Sequence, residues 1–214
     1  MTKIKICGIT NVDDAIFAAG CGADVLGLNF YSVSPRYLEP EIAKQIVQKI
    51  RPLAENVRFA GVFVNEEPDE IRRIADEVGL DLIQLHGDEQ PPQAASVSKM
   101  CNAGVIKAIR KPDQMNEAFL GRFDCTAFLL DGFSPIEYGG TGRAVDRTTA
   151  VELVAKGYTI YLAGGLTPEN AAEAIRDVRP FAVDVASGVE ISPGKKDRKK
   201  IEAFITAVRK VGRV

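Results

Sequence analysis

Short apolar segments rich in β-branched residues recur along the chain, with amphipathic stretches between them. The first segment, residues 3–7, alternates polar and apolar side chains, which is the period of a β-strand. Successive segments lie roughly 20 to 35 residues apart, enough for the crossover that joins two parallel strands. The predicted strands end near Cys7, Phe30, Val64, Leu85, Ile109, Leu130, Ala163 and Ala186.

The intervening stretches carry helix signals. A stripe at helical spacing followed by Gly79 predicts one amphipathic helix and its end, and a second stripe predicts the last helix. Thr10 and Thr167 are predicted N-caps, the latter followed by a proline suited to the first helical position. Further helices are predicted over 91–100 and 112–120. The stripes are Ile71, Ile74, Ala75 and Val78, and Ile201, Phe204, Ile205 and Val208.

Eight strand–helix units predict an α/β fold, a (β/α)₈ TIM barrel formed by one domain over residues 1–214. A doubly wound open sheet is the alternative. Against it, no G-x-G-x-x-G follows the first strand, and Gly140-x-Gly142 lacks the third glycine.

Composition excludes several function classes. The formal net charge is −2, which gives no electrostatic footprint for nucleic acid or an anionic membrane. The basic stretch 195–200 is predicted to be the solvated start of the last helix. The four cysteines form no C-x-x-C pair and the chain has one histidine, so a structural zinc site is not expected. A disulfide framework is not expected in a chain of this length either. With no apolar run long enough to span a bilayer and no signal-peptide pattern, we expect a cytoplasmic protein.

Polar side chains interrupt strands that should be almost wholly apolar if they are parallel and buried. Because the carboxyl ends of barrel strands meet at one mouth, these residues are candidates for a shared site. Asp184 is expected to pair with Lys5, since strand eight neighbours strand one in a closed barrel. The full set is Lys5, Cys7, Gln84, His86, Lys107, Asp131 and Asp184.

Each of these residues also has an ordinary structural interpretation. Cys7 is compatible with a small buried apolar side chain, and His86 with a hydrogen-bonded core histidine. Asp131 precedes Gly132 and suits a turn. Their common place at strand ends is what favours a functional role.

Two glycine-containing loops follow strands seven and eight, where such barrels usually bind phosphate. Gly164-Gly165 and Ser187-Gly188 offer backbone N–H groups that an anion can approach closely, although tight turns alone would also need glycine. Residues 139–142 suggest a lid. Arg36, which follows strand two, carries a planar guanidinium that can bind a carboxylate through two parallel hydrogen bonds.

Taken together, these segments resemble the phosphoribosylanthranilate isomerase family of tryptophan biosynthesis, and the resemblance runs from the first strand to the last. The first and last matching segments are specific, whereas the glycine pairs occur in many phosphate-binding barrels. The matching segments are residues 5–10, 34–36, 61–63, 84–87, 130–131, 139–142, 162–166 and 184–190.

The resemblance implies an Amadori rearrangement of N-(5-phosphoribosyl)anthranilate to 1-(2-carboxyphenylamino)-1-deoxyribulose 5-phosphate, without metal or cofactor. It implies Asp131 as the general acid that opens the furanose ring and Cys7 as the general base at sugar C2. It also implies that Arg36 holds the anthranilate carboxylate and that His86 lies in the pocket. The implied phosphate-binding residues are Gly164, Gly165, Ser187 and Gly188.

The chemistry of the residues is compatible with these roles. A thiol is mostly protonated at neutral pH, and Lys5, on the same strand face, is expected to lower the pKa of Cys7. The resemblance implies a small phosphorylated metabolite as the partner, with no nucleic acid and no membrane, and the oligomeric state stays open.

Four rival functions remain open from the residues alone. A lyase would rely on a lysine acid, for which Lys107 is the mid-chain strand candidate. An epimerase would need a metal cluster, which a single histidine makes poor. The isomerase of histidine biosynthesis catalyses the same rearrangement, but it is expected to use a pair of aspartates where this chain has Cys7 and Asp131. A non-catalytic phosphometabolite-binding barrel would need neither Cys7 nor Asp131.

Overall fold

Eight parallel strands close into a barrel in the computed structural model, which describes residues 1–132 and 147–211. Each strand pairs with its neighbours in chain order and the last pairs with the first, so the predicted (β/α)₈ barrel is confirmed over an open sheet. Every strand ends within one residue of its predicted position. The strands are β1 (Lys3–Cys7), β2 (Val25–Asn29), β3 (Arg58–Phe63), β4 (Leu82–Leu85), β5 (Gly104–Ile109), β6 (Ala127–Leu130), β7 (Ile160–Leu162) and β8 (Ala182–Val185).

Helices alternate with these strands and form the outer layer. None of the helices within the described ranges has the length and apolarity needed to cross a bilayer. The predicted helix over 112–120 is instead a 3₁₀ turn, Pro112–Gln114, and one α-helical turn. The helices are α1 (Val12–Cys21), α2 (Pro40–Ile50), α3 (Pro68–Val78), α4 (Pro91–Met100), α5 (Glu117–Leu120), α6 (Arg147–Ala155), α7 (Ala171–Val178) and α8 (Arg198–Val211).

The two apolar stripes are buried as predicted, on α3 and α8, and Gly79 ends α3 with a left-handed φ of 79°. Both N-cap predictions were wrong. Asn11, not Thr10, caps α1 by accepting the Asp14 N–H, while the Thr10 hydroxyl donates to the Gly194 carbonyl. Helix α7 begins three residues after Pro168, because Asn170 closes a turn by accepting the Thr167 N–H.

A small antiparallel hairpin lies between β8 and α8, formed by β9 (Glu190–Ser192) and β10 (Lys195–Lys196). The basic stretch therefore begins in this hairpin, and α8 starts only at Arg198. Lys199 and Lys200 are exposed as expected, but Lys196 is buried, so the prediction of a wholly solvated stretch was wrong. The fold uses one lysine of this stretch in its interior.

Apolar side chains fill the space between strands and helices, while smaller residues such as Ala60 and Ala108 pack inside the barrel. The barrel interior turns polar toward the carboxyl ends of the strands. Lys5 and Asp184 are partners in the β1–β8 register, and their side chains form the predicted ion pair at 2.9 Å. Because Lys5 is fully buried, this pair satisfies a charge that would otherwise be strongly destabilising.

Candidate active site

One cavity of about 410 Å³ opens at the carboxyl ends of the strands. Its volume is in the range of small-molecule sites, and its place is that of barrel-enzyme active sites. The structure places in this cavity the eight residues that the family resemblance implies as site residues, whereas Lys5 and Lys107 from the wider candidate set do not line it. The eight residues are Cys7, Arg36, His86, Asp131, Gly164, Gly165, Ser187 and Gly188.

Cys7 reaches the cavity as the last residue of β1. Gly27 makes room for it, since a Cβ there would lie 2.8 Å from the Cys7 sulfur, and Gly8 turns the chain directly after it with a left-handed φ of 74°. Burial raises the pKa of the thiol, while the Lys5 ammonium only partly opposes that effect. The expectation that Lys5 leaves the pKa of Cys7 below its usual value was therefore wrong in its net direction.

The reason lies in how Lys5 is itself paired. Burial alone lowers the pKa of Lys5, but the charges of Asp184 and Cys7 outweigh burial and keep it above its usual value. Lys5 is thus a permanent cation behind the thiol. The Asp184 carboxylate balances it and works against the thiolate at Cys7.

Asp131 follows β6 and is buried, with one carboxylate oxygen accepting the Gly132 N–H at 2.8 Å. Its other oxygen lies 3.3 Å from Nε2 of His86, which follows β4. The second ring nitrogen of His86, Nδ1, lies 2.7 Å from the side-chain amide nitrogen of Gln84. Asp131 and His86 are therefore adjacent, within the cavity that Cys7 also lines.

Arg36 lines the cavity, and its guanidinium makes a two-pronged bond to Glu190, at 2.9 Å and 2.7 Å. Glu190 is buried and also accepts a hydrogen bond from Lys196 at 2.9 Å. Despite the burial that opposes it, these two cations hold the pKa of Glu190 below its usual value. Arg36, Glu190 and Lys196 together carry one net positive charge, which suits a site for an anion.

Lys196 also donates to the carbonyl of Cys7, so the hairpin is tied directly to the end of β1. Burial lowers the pKa of Lys196, and Glu190 opposes that shift. Sequence reasoning missed both Glu190 and Lys196 as site residues. Glu190 lies in a segment that matches the family, whereas nothing in the basic run 195–200, which only Asp197 interrupts, indicates that Lys196 turns inward.

The two glycine-containing loops lie side by side at the cavity rim. Gly164 and Gly165 both have positive φ, 82° and 64°, which turns successive peptides as in an anion-binding nest. Gly188 packs so closely that a Cβ would lie 1.9 Å from the Leu166 carbonyl oxygen. Asn170 donates to the Gly165 carbonyl and so braces the first loop.

Lys107, the candidate of the lyase alternative, is not among the residues that line this cavity. Its ammonium bonds Glu89 at 2.7 Å and the Gly87 carbonyl at 2.8 Å. Glu89 also accepts the Asn65 and Gly87 N–H groups. This buried pair fixes the turn that follows His86, which gives Lys107 a structural role.

Across residues 1–132 and 147–211, no three metal-ligating side chains cluster together. The suggested lid at 139–142 lies outside the described residues.

Comparison with known proteins gives one consistent family. Residues 4–207 match the family model for N-(5'-phosphoribosyl)anthranilate isomerase. A relative of that name from Geobacter sp. (strain M21) is 46% identical over 211 residues, which are 99% of this chain and 100% of the relative.

Solved structures agree with the sequence relatives. The phosphoribosyl anthranilate isomerase of Thermotoga maritima superposes with a TM-score of 0.85 at 40% identity, covering 98% of this chain and 100% of that one. An isomerase in complex with reduced 1-(o-carboxyphenylamino)-1-deoxyribulose 5-phosphate gives a TM-score of 0.82 at 39% identity, with coverage of 98% and 100%. The chain belongs to the N-(5'-phosphoribosyl)anthranilate isomerase family and is an isomerase of tryptophan biosynthesis.

Proposed function

We propose that Cys7 and Asp131 perform the proton transfers of the Amadori rearrangement in this cavity. The observation that carries the proposal is their placement: a thiol and a carboxyl from two strands line one cavity together with both glycine-containing loops. General acid–base catalysis needs its two groups within reach of the same bound substrate.

Asp131 donates a proton to the furanose ring oxygen, the bond from that oxygen to sugar C1 breaks, and a protonated Schiff base forms with the anthranilate nitrogen. The Cys7 thiolate then removes the proton from sugar C2 and leaves an enolamine. Protonation at C1 and loss of the C2 hydroxyl proton give the ketone, so the product is an isomer of the substrate.

Other groups around the cavity are suited to bind the two anionic ends of this substrate. Arg36 holds the anthranilate carboxylate, because the cluster that Glu190 and Lys196 complete is net positive. The loops at Gly164-Gly165 and Ser187-Gly188 take the phosphate through backbone N–H groups. The relative with a bound phosphorylated analogue supports this class of ligand. His86 lies in the same cavity, with its Nε2 3.3 Å from a carboxylate oxygen of Asp131.

The cytoplasm is the compartment that suits this chain. All four cysteines are free, and free thiols persist in a reducing compartment.

The role of Cys7 is tested by assaying turnover of N-(5-phosphoribosyl)anthranilate by Cys7→Ser. A serine hydroxyl is far harder to deprotonate, so we expect a fall of at least about 10²-fold, the scale of general base catalysis. Cys21→Ser, at the end of α1, is the matched control and should keep full activity. Near-normal turnover by Cys7→Ser would rule out the thiol as base. Offering the aminoaldose of histidine biosynthesis in parallel tests whether the site also accepts a second substrate.

A further inference from the structure

Gln84 lines the catalytic cavity, yet the proposed mechanism gives it no part. It lies on the same face of β4 as His86, both side chains are buried, and its amide nitrogen is 2.7 Å from Nδ1 of the ring. We propose that Gln84 is a positioning residue that keeps His86 in the neutral tautomer with its proton on Nε2, facing Asp131.

Donor and acceptor chemistry fixes the tautomer. An amide nitrogen only donates hydrogen bonds, so Nδ1 of His86 must present its lone pair to Gln84. A neutral imidazole has one proton, which then lies on Nε2. Protonation of Nδ1 would set two donors against each other at 2.7 Å.

Asp131 favours the same arrangement from the other side of the ring. Nε2 lies 3.3 Å from a carboxylate oxygen of Asp131, close but outside hydrogen-bond geometry, and an ionised carboxylate only accepts hydrogen bonds. Reversing the Gln84 amide would move the ring proton to Nδ1 and place the Nε2 lone pair against that oxygen. The reversed state is therefore unfavourable whenever Asp131 is ionised.

The oxygen of the Gln84 amide makes no contact that would oppose this orientation of the amide. Gln84 Oε1 is buried and accepts no hydrogen bond from the described residues. Because this oxygen is closed off from the cavity, the amide orientation rests on Nδ1 of His86 and on Asp131.

The consequence for the reaction concerns the acid step. When Asp131 has given its proton to the ring oxygen, it becomes a carboxylate in a poorly solvated site. An N–H donor at Nε2 of His86 stabilises that carboxylate, whereas a lone pair there would oppose its formation. Gln84 acts on the acid step only through the tautomer of His86.

The tautomer is directly measurable because His86 is the only histidine of the chain. In ¹⁵N NMR of histidine-labelled protein near pH 7.5, we expect Nε2 to show the protonated-type shift and Nδ1 the unprotonated type. A wild-type spectrum with Nδ1 protonated would overturn the proposal without any variant. Gln84→Met, which is close in size but offers no donor, should lower the share of the Nε2-protonated tautomer, which Asp131 alone then favours, and Gln84→Glu should place a proton on Nδ1. Unchanged ring shifts in both variants would also overturn it.

The kinetic consequence rests on the proposed role of Asp131. We expect Gln84→Glu to lower kcat by about 10- to 100-fold, part of the usual range for acid–base catalysis, with a smaller change in KM. Gln48→Glu makes the same chemical change on the exposed face of α2 and should leave kcat unchanged. A changed tautomer with unchanged kcat would refute the effect of His86 on the acid step while leaving the acid role of Asp131 to the Asp131→Asn assay, whereas an unchanged tautomer would refute the role of Gln84.

Discussion

At the scale of single residues, the site depends on a thiol whose pKa is raised. Burial at the end of β1 raises the pKa of Cys7 above its usual value, and Lys5 limits the increase. Because Cys7 acts as the thiolate and Asp131 as the protonated acid, kcat/KM should depend on pH through both groups, and the limb that Cys7 sets should lie above the usual thiol pKa of about 8.5.

Lys5→Met tests this electrostatic account. Removing the ammonium removes the charge that favours the thiolate, so the limb of kcat/KM that Cys7 sets should move to higher pH by about one unit or more. Lys3→Met, on the same strand but exposed, is the control and should leave the limb in place. A limb that stays in place in Lys5→Met would show that Lys5 does not act on the thiol.

At the scale of elements, the site depends on contacts between loops that follow different strands. The β7–α7 loop and the turn after β8 touch where Gly188 faces the Leu166 carbonyl, with no room for a Cβ. The β9–β10 hairpin ties Arg36 to the end of β1 through Glu190 and Lys196. These contacts place groups that are far apart in sequence.

Gly188→Ala should separate the two glycine-containing loops, because the added methyl group would lie 1.9 Å from a backbone oxygen. Hydrogen bonds to a charged group contribute about 1.5–3 kcal/mol, so losing one to phosphate should raise KM by about 10- to 100-fold. Gly20→Ala, on the exposed side of α1 with open space around it, is the matched control. An unchanged KM for Gly188→Ala would contradict phosphate binding at this junction.

Glu190→Gln should destabilise the protein by about 3–5 kcal/mol, because it leaves buried Lys196 without its carboxylate partner. The double variant with Lys196→Met should recover part of that loss. Urea unfolding measures both, and Glu55→Gln in an exposed loop is the control. Additive losses in the double variant would show that the pair is not coupled.

The pH dependence of unfolding gives an independent measure of Glu190. Its pKa is lower in the folded protein than the ordinary value of 4.5, so its contribution is present above pH 4.5 and is lost as the pH falls below it. We expect a shallower loss of stability on acidification in Glu190→Gln.

At the scale of the whole molecule, sequence periodicity predicted the barrel well, since strand ends and apolar stripes follow from local patterns. Closure also made the Lys5–Asp184 pair predictable, because it places β8 beside β1. Thr10 failed as a cap because Asn11, one residue later, accepts the Asp14 N–H, and Thr167 failed because Asn170 accepts the N–H of Thr167 itself and closes a turn before α7. The buried Lys196 depends on a hairpin that brings together residues with no local signal, and the pKa of Cys7 depends on burial that no pattern specifies.

The measurement that tests the central claim most directly compares binding with turnover in Asp131→Asn. Asparagine keeps the size and most contacts of the side chain but has no proton to donate as an acid. Affinity for reduced 1-(o-carboxyphenylamino)-1-deoxyribulose 5-phosphate, measured by calorimetry, should stay close to wild type, while turnover of N-(5-phosphoribosyl)anthranilate should fall by at least about 10²-fold. Turnover near the wild-type rate with binding intact would contradict the account.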